Sequence, residues 1–301
     1  MKRASKLLPS FPPALHSNQE NQLRCVISHP MDWGQTVNAQ GFQQATYSVE
    51  GYVVRLAWNC RRVDSIVERL RNPNFLETAD PPDLDLKIEK MGEEYGLSIN
   101  EKAYGTASLD KLPLSLERKI QLEVATYAPN AVFVHSGVVR YHDSLVLIPG
   151  KSFSGKSSLV QALCKAGASY YSDEYAVVDS EGMVRPWPRP ISLRGRDGTN
   201  VRERIDAKDL GWRPEHGPVR PSLVVLTMYR EGAEWSPQPV TAGKGVMGLL
   251  ENTVSAQLEP QRALKYLSKL MDGVECLQSE RGDADETATF ILDYLSANEA
   301  L

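Results

Sequence analysis

The sequence predicts an α/β protein with two domains, and three observations support this prediction. The chain has 301 residues, more than one average domain holds. Residues from about 45 to 125 combine strand and helix patterns, as in a small α+β unit. After Asn130, short apolar strands alternate with helices on either side of a glycine-rich loop. We expect a smaller N-terminal α+β domain with a loose tail over residues 1–128 and an α/β domain over residues 129–301.

The composition excludes several classes of protein. Hydrophobic residues make up 42% of the chain and charged residues 24%, ordinary values for a globular protein. The formal net charge of -4 implies no basic face, so we expect no nucleic-acid partner. No apolar run approaches the roughly 20 residues of a membrane-spanning helix, and the start lacks the apolar stretch of a secretory signal. We therefore expect a cytoplasmic protein with no membrane partner and with four reduced, well-separated cysteines.

The elements of the first domain follow from local periodicity. Residues 63–72 carry apolar side chains at the spacing of one helix face, whereas apolar and polar residues alternate from Leu84 to Ile88. Residues 51–60 are rich in β-branched and aromatic side chains, which favour strands. The predicted elements are a strand at Gly51–Cys60, a helix at Val63–Asn72, a half-buried strand at Leu84–Ile88 and a helix at Leu112–Pro129.

In the second domain the same patterns are arranged around the glycine-rich loop. A polar turn, "YHDS", separates two apolar stretches, and a later segment ends in "SDEYAVVD". The predicted strands are Ala131–Val134, Leu145–Ile148, the segment ending in "SDEYAVVD" and Ser222–Tyr229. The predicted helices are Ser157–Cys164, "QRALKYLSKLMDG" and "DETATFILDYLSANEA".

Residues Gly150–Ser157, which we call the glycine-rich loop, match the pattern G-x-x-x-x-G-K-[ST] in full. Its glycines let consecutive N–H groups turn around a phosphate, and the following helix offers unpaired N–H groups. Lys156 would contact phosphate oxygens, and the Ser157 hydroxyl would bind Mg²⁺. An apolar strand before the loop and a helix after it disfavour the alternative, a surface loop that binds nothing. The residues predicted to contact a nucleotide here are Gly150, Ser152, Phe153, Ser154, Gly155, Lys156, Ser157 and Ser158.

Phosphoryl transfer also needs a carboxylate that helps to hold Mg²⁺. The strand Ser222–Tyr229 ends without an aspartate, so the better candidates are Asp173 and Glu174. Neighbouring residues on a strand point to opposite faces, so one acid would join Ser157 at the metal. The other would accept the proton of an attacking hydroxyl. Which acid has which role stays open, and an ordinary acidic turn is the alternative.

Imidazole and guanidinium groups near the loop are further candidates. His135 follows the apolar run "AVFV" and could ligate the metal or contact the γ-phosphate, although a histidine without function is the alternative. Arg189, Arg194 and Arg196 could clamp phosphate or the acceptor, because guanidinium groups suit phosphate oxygens. A solvated basic loop is the alternative for these arginines.

Three stretches in order, "HSGVV", "GKSFSGKSS" and "SDEYAVVD", resemble the HPr kinase/phosphorylase family and, more distantly, phosphoenolpyruvate carboxykinase. The resemblance covers about residues 130–195. It includes "RPWPRPISLR", which looks like the matching segment of HPr-kinase-related proteins from bacterial peptide-modification clusters. Some of those relatives phosphorylate a serine of a ribosomal peptide. The resemblance implies a kinase domain of this fold, with a mixed sheet, and a possible homo-oligomer.

Carried over by position, the resemblance places Lys156 and Ser157 at the phosphates and Mg²⁺, and His135 beside the metal and the γ-phosphate. Asp173 and Glu174 fall on the family's pair of aspartates, so the glutamate at the second position is a departure. The C-terminal signature of the reverse, phosphorylase reaction is not found convincingly. The resemblance therefore implies kinase activity and leaves the reverse reaction unclaimed.

Three functions follow from these observations. The leading hypothesis is a kinase that depends on ATP and Mg²⁺ and phosphorylates a hydroxyl, with the serine of a protein or peptide as the expected acceptor. The second is a small-molecule hydroxyl kinase, although such kinases usually carry the loop at the start of the chain. The third is a non-catalytic ATP-binding regulatory module, which the retention of Lys156, Ser157 and the two acids disfavours. Strand order would discriminate between the first two, because the second usually has a doubly wound parallel sheet.

Overall fold

The structure is a computed structural model, and it describes residues 36–37, 41–70, 74–151, 154–194 and 201–299. It shows a mixed α/β protein with two large mixed sheets, and the described residues belong to one compact unit. The predicted mixed sheet is therefore confirmed. Within the described part of the chain, no helix combines the length and the apolar character that crossing a membrane requires.

The N-terminal half forms a seven-stranded sheet with two helices. Its strands are β1 (Thr36–Val37), β2 (Gln43–Val49), β3 (Tyr52–Trp58), β4 (Leu76–Glu77), β5 (Leu84–Met91), β6 (Glu94–Ile99) and β7 (Lys102–Ala107). The helices are α1 (Asp64–Leu70) and α2 (Leu112–Tyr127). The order is β1-β2-β3-β5-β6-β7, with β4 also paired to β2. Only β3 and β5 pair in parallel among these strands. Helix α2 buries one apolar residue in each turn, at Leu112, Leu116, Ile120 and Val124, which fixes this helix against the sheet.

The C-terminal half forms an eight-stranded sheet and a separate hairpin. The sheet contains β8 (Ala131–Tyr141), β9 (Ser144–Pro149), β10 (Ser169–Ser172), β11 (Tyr175–Asp179), β12 (Val184–Arg185), β15 (Leu223–Tyr229), β16 (Gln238–Pro239) and β17 (Glu275–Arg281). The hairpin is β13 (Ile191–Arg194) and β14 (Val201–Ile205), and the helices are α3 (Lys156–Lys165), α4 (Ala242–Leu250), α5 (Pro260–Leu270) and α6 (Ala284–Glu299). The sheet order is β12-β11-β8-β9-β15-β17-β16, with β10 also paired to β8. Strands β9, β15 and β17 run parallel, whereas β8 is antiparallel to β9.

Helices cover both faces of the C-terminal sheet. On one face, Val146 and Ile148 of β9 share a core with residues of α3 and α6. On the other face, Leu145 and Leu147 share a core with residues of α4 and α5. A strand covered on both faces is apolar at successive positions, which explains the uninterrupted run "LVLIP" before the loop.

The two sheets meet at β8. Its residues Ala131 and Phe133 join the core of the N-terminal sheet, together with Trp187, whereas Val132 and Val134 join the core beneath α4 and α5. Strand alternation thus lets one strand serve two cores. The boundary predicted between residues 128 and 129 falls between the end of α2 and the start of β8, and it remains a prediction.

Most predicted elements are confirmed, and the differences have physical reasons. Strand β8 extends to Tyr141, beyond the predicted Val134, because it pairs with β9, β10 and β11 along its length. The segment ending in "SDEYAVVD" is two strands, β10 and β11, with a break at Asp173 and Glu174. Helix α4 and strand β17 were not predicted from the sequence.

Candidate functional site

Strand β9 ends at Pro149, directly before the glycine-rich loop, and α3 begins at Lys156, near the end of that loop. Gly155 adopts a φ of +85°, in the left-handed region where glycine has no steric penalty. The Gly150 N–H donates to the His135 carbonyl at 3.1 Å, which ties the loop to β8. The Ser154 hydroxyl is buried without a hydrogen-bond partner among the described residues. Ser152 and Phe153, both predicted to contact the nucleotide, lie outside the described residues.

The first turn of α3 carries Lys156, Ser157 and Ser158. The N–H groups of a first helical turn have no acceptor within the helix, and they lie at the positive end of the helix dipole. Lys156 Nζ donates to the Lys151 carbonyl at 3.2 Å, so the side chain folds back over the loop. Burial lowers the pKa of Lys156, and the charges of Asp173 and Glu174 oppose this change. The ammonium is therefore held at the loop by the Lys151 carbonyl and interacts with the charges of Asp173 and Glu174.

Asp173 lies in the break between β10 and β11, directly beside α3. Its Oδ2 accepts a 2.7 Å hydrogen bond from the Ser157 hydroxyl, and its Oδ1 is buried without a partner among the described residues. Burial raises the pKa of Asp173 to about 7. The Ser157 hydrogen bond and the charge of Lys156 oppose this rise, while Glu174 adds to it. Asp173 is thus a carboxyl group that titrates near neutral pH in the metal-free chain.

Glu174 and His135 form the exposed side of the site. The Oε1 of Glu174 lies 3.9 Å from Nδ1 of His135, and about half of each side chain is exposed. The His135 ring packs at 4.8 Å on Tyr175. Burial lowers the pKa of His135, Lys156 lowers it further, and Glu174 opposes both. These surroundings therefore favour the neutral form of the imidazole.

The two acids do face different directions, but the predicted reason was wrong. They do not alternate along a strand, because Asp173 and Glu174 form the bend that separates β10 from β11. The Ser136 N–H holds this bend by donating to the Glu174 carbonyl at 3.3 Å. A Cβ at Gly137 would lie 2.5 Å from Val160, so this glycine lets α3 approach β8 and Asp173 closely.

The predicted arginines are distributed differently. The carboxylate of Glu117 in α2 forms an ion pair with Arg189, which ties this arginine to the N-terminal half. The backbone of Arg194 ends β13, and its side chain lies outside the described part of the chain, as does Arg196 entirely. Arg189 therefore already has a carboxylate partner, which does not favour a role as a free phosphate clamp.

Two residues that contact the loop were not predicted from the sequence. Arg281, at the end of β17, is 1% exposed and donates from Nη2 to the Gly155 carbonyl at 2.6 Å. Tyr229, at the end of β15, donates its N–H to the Ser154 carbonyl at 3.2 Å. One feature of the sequence could have pointed to them. Parallel strands end at the same edge of a sheet, so the residues at the ends of apolar strands parallel to β9 would be expected near the loop. Nothing in "ECLQSER" indicated that its arginine is buried.

No protein-family model matches this sequence, and no curated protein matches it. Among solved structures, the Hpr(Ser) kinase/phosphatase from Coxiella burnetii is similar with a TM-score of 0.31 and 14% sequence identity. The matched region covers 56% of this chain and 93% of that chain. A similarity at this level is distant and does not establish family membership.

Proposed function

We propose that this chain is a kinase that depends on ATP and Mg²⁺ and transfers the γ-phosphate to a hydroxyl group, that of a serine in a protein or peptide. One observation carries the proposal. Ser157 of a complete phosphate-binding motif is hydrogen-bonded to Asp173 at 2.7 Å, next to a second acid and a lysine. This combination would provide hydrogen-bond donors for the phosphates, a pair of metal ligands and a proton acceptor within one small region.

The residues present fit a magnesium ion. Asp173 Oδ1 is a buried oxygen without a partner among the described residues, and such an atom needs a ligand. The described residues contain no group of three or more His, Cys, Asp and Glu side chains that could hold a metal. Mg²⁺ does not require one, because it takes one or two carboxylates and completes its shell with phosphate oxygens and water. Ser157 and Asp173 would hold the ion, which when bound neutralises charge on the transferring phosphate.

The remaining groups divide the chemistry between them. Lys156 and the N–H groups of the first turn of α3 bind and orient the phosphates. We assign to the Glu174 carboxylate the role of accepting the proton of the acceptor hydroxyl, because Asp173 would bind Ser157 and the metal. His135 lies 3.9 Å from Glu174 on the exposed side, where it would orient this carboxylate. The sequence left open whether Glu174 is a metal ligand or the general base. The exposure of its side chain favours the role of base.

The exposure of this side also supports a large acceptor. The side chain of Glu174 is 50% exposed and that of His135 is 41% exposed. A serine presented on a peptide or protein surface can reach an open base, whereas small-molecule sites usually enclose their substrate. The antiparallel β8 beside β9 also differs from the all-parallel doubly wound sheet expected for the small-molecule alternative.

The test is phosphate transfer by the purified full chain. Wild type is incubated with Mg²⁺ and ATP together with pools of serine-containing peptides, candidate proteins and small alcohols, and mass spectrometry detects the gain of one phosphate. Lys156→Ala and Glu174→Gln should each lower transfer by about 10²-fold or more. Lys165→Ala, at the exposed end of the same helix, is the matched control. Phosphate on a small alcohol alone would favour the second hypothesis. ATP binding without transfer to any acceptor would favour the regulatory module.

A further inference from the structure

Arg281 occupies an unusual position for a charged residue. It ends β17, where it pairs in parallel register with Tyr229 of β15, and it is 1% exposed. Among the described residues no carboxylate forms an ion pair with it, and its Nε is buried without a partner. A buried, unpaired cation is costly, so its presence calls for an explanation.

The bonds that Arg281 does form lead to the glycine-rich loop. Nη2 donates to the Gly155 carbonyl at 2.6 Å, and Nη1 donates to the Gly282 carbonyl at 3.1 Å. The guanidinium carbon lies 5.7 Å from the centre of the Tyr229 ring. The guanidinium also fills the space where a Cβ at Gly155 would stand. Arg281 is therefore bonded to the residue directly before α3.

Two successive carbonyls of the loop are held by these C-terminal strands. The Gly155 carbonyl accepts from Arg281 and from the Leu159 N–H, and the Ser154 carbonyl accepts from the Tyr229 N–H. In a planar trans peptide, the C=O and the N–H of the same unit point in opposite directions. Holding these carbonyls toward the strands therefore directs the N–H groups of Gly155 and Lys156 away from the strands.

We infer that Arg281 is a positioning residue that fixes the Gly155 carbonyl so that the N–H groups of Gly155 and Lys156 face an incoming phosphate. A carbonyl turned into that space would repel the phosphate oxygens. The effect on nucleotide binding rests on the proposed function, whereas the effect on the loop itself does not.

The first test is amide hydrogen exchange on the full chain without nucleotide. The amides of Leu159 and Tyr229 report on the Gly155 and Ser154 carbonyls that they bond. In Arg281→Met their exchange should accelerate by about tenfold or more, as expected for the loss of a charged hydrogen bond. Arg281→Lys, which keeps one charged donor, should restore most of the protection. Arg230→Met is the control, because this neighbouring arginine is exposed and pairs with Glu280.

The second test is Mg²⁺-ADP binding by titration calorimetry, for which Arg281→Met should weaken affinity by about tenfold and Arg281→Lys by less. Wild-type exchange in Arg281→Met would overturn the inference, as would a folded Arg281→Lys that exchanges as fast as Arg281→Met. If Arg281→Met does not fold, Arg281→Lys decides alone, with near-wild-type protection expected. A wild-type chain that binds no nucleotide would contradict the proposed function, and the exchange measurement would still decide the role of Arg281.

Discussion

The hydroxyl of Ser157 donates a 2.7 Å hydrogen bond to Oδ2 of Asp173. This bond joins the first turn of α3 to the bend between β10 and β11. The other carboxylate oxygen is buried without a partner among the described residues. One oxygen of the Asp173 carboxylate is therefore hydrogen-bonded to α3, and the other is left without a protein partner in the described part of the chain.

If Ser157 and Asp173 act together on Mg²⁺, the losses of activity caused by replacing each residue should not multiply in the double variant. Ser157→Ala and Asp173→Asn should each reduce kcat/KM for ATP by about 10²-fold or more, because the negative charge of the transition state would be less well stabilised. The double variant should lose little more than the worse single variant, since the two groups act as a unit. Steady-state kinetics at saturating Mg²⁺ measures kcat/KM of the two single variants and the double variant, with Ser180→Ala as an exposed serine control. Multiplicative losses would show that the two residues act independently.

The pKa of Asp173 predicts how stability depends on pH. Burial raises this pKa to about 7 from an ordinary value of 3.8, so the folded chain binds the proton more tightly than the unfolded chain. The resulting stabilisation is complete below pH 3.8 and is lost as the pH rises through about 7. Asp173→Asn cannot ionise, so it should exceed wild type in free energy of unfolding at pH 8, by a margin that shrinks toward pH 4.

Urea unfolding of the metal-free, nucleotide-free chain across this pH range measures that margin. Asp143→Asn, at an exposed aspartate of the β8–β9 turn, is the control. A margin for Asp173→Asn that is the same at every pH would contradict the prediction.

The environment of His135 predicts that its pKa shifts in opposite directions in two variants. Lys156 lowers the pKa of His135 and Glu174 raises it. Lys156→Met should therefore raise this pKa, and Glu174→Gln should lower it further. NMR titration of the histidine ring signals in the metal-free chain measures both. His216 is an internal control, because its pKa responds to burial and to Arg140, Glu215 and Arg213. Shifts of the same sign in the two variants would be inconsistent with this geometry.

Gly155→Ala should destabilise the chain for two reasons. A φ of +85° costs a residue with a side chain about 1–2 kcal/mol. The new methyl group would also collide with the guanidinium of Arg281. Thermal unfolding should show a clear drop in Tm. Gly105→Ala in β7 is the control, since nothing lies within 4 Å of its Cβ position. Equal Tm values for wild type and Gly155→Ala would contradict the described loop conformation.

Local patterns in the sequence were sufficient to predict most of the elements named in advance. The alternation from Leu84 to Ile88 and the run before Gly150 predicted strands that the structure contains. Patterns were insufficient at Asp173 and Glu174, where continuous strand character concealed a bend. That bend arises because β10 and β11 both pair with the single long strand β8, and no local signal encodes pairing between distant segments.

By itself the sequence determined which reactive side chains are available: a match to G-x-x-x-x-G-K-[ST] with its lysine and serine, two nearby acids and a histidine. Motif identity depends on residues close together in the chain, so it can be read directly. Only the tertiary structure decided that Asp173 meets Ser157, that Glu174 faces His135, and that Arg281 holds Gly155. Arg281 and Gly155 are 126 positions apart. Such contacts depend on strand order and burial, which are properties of the whole fold.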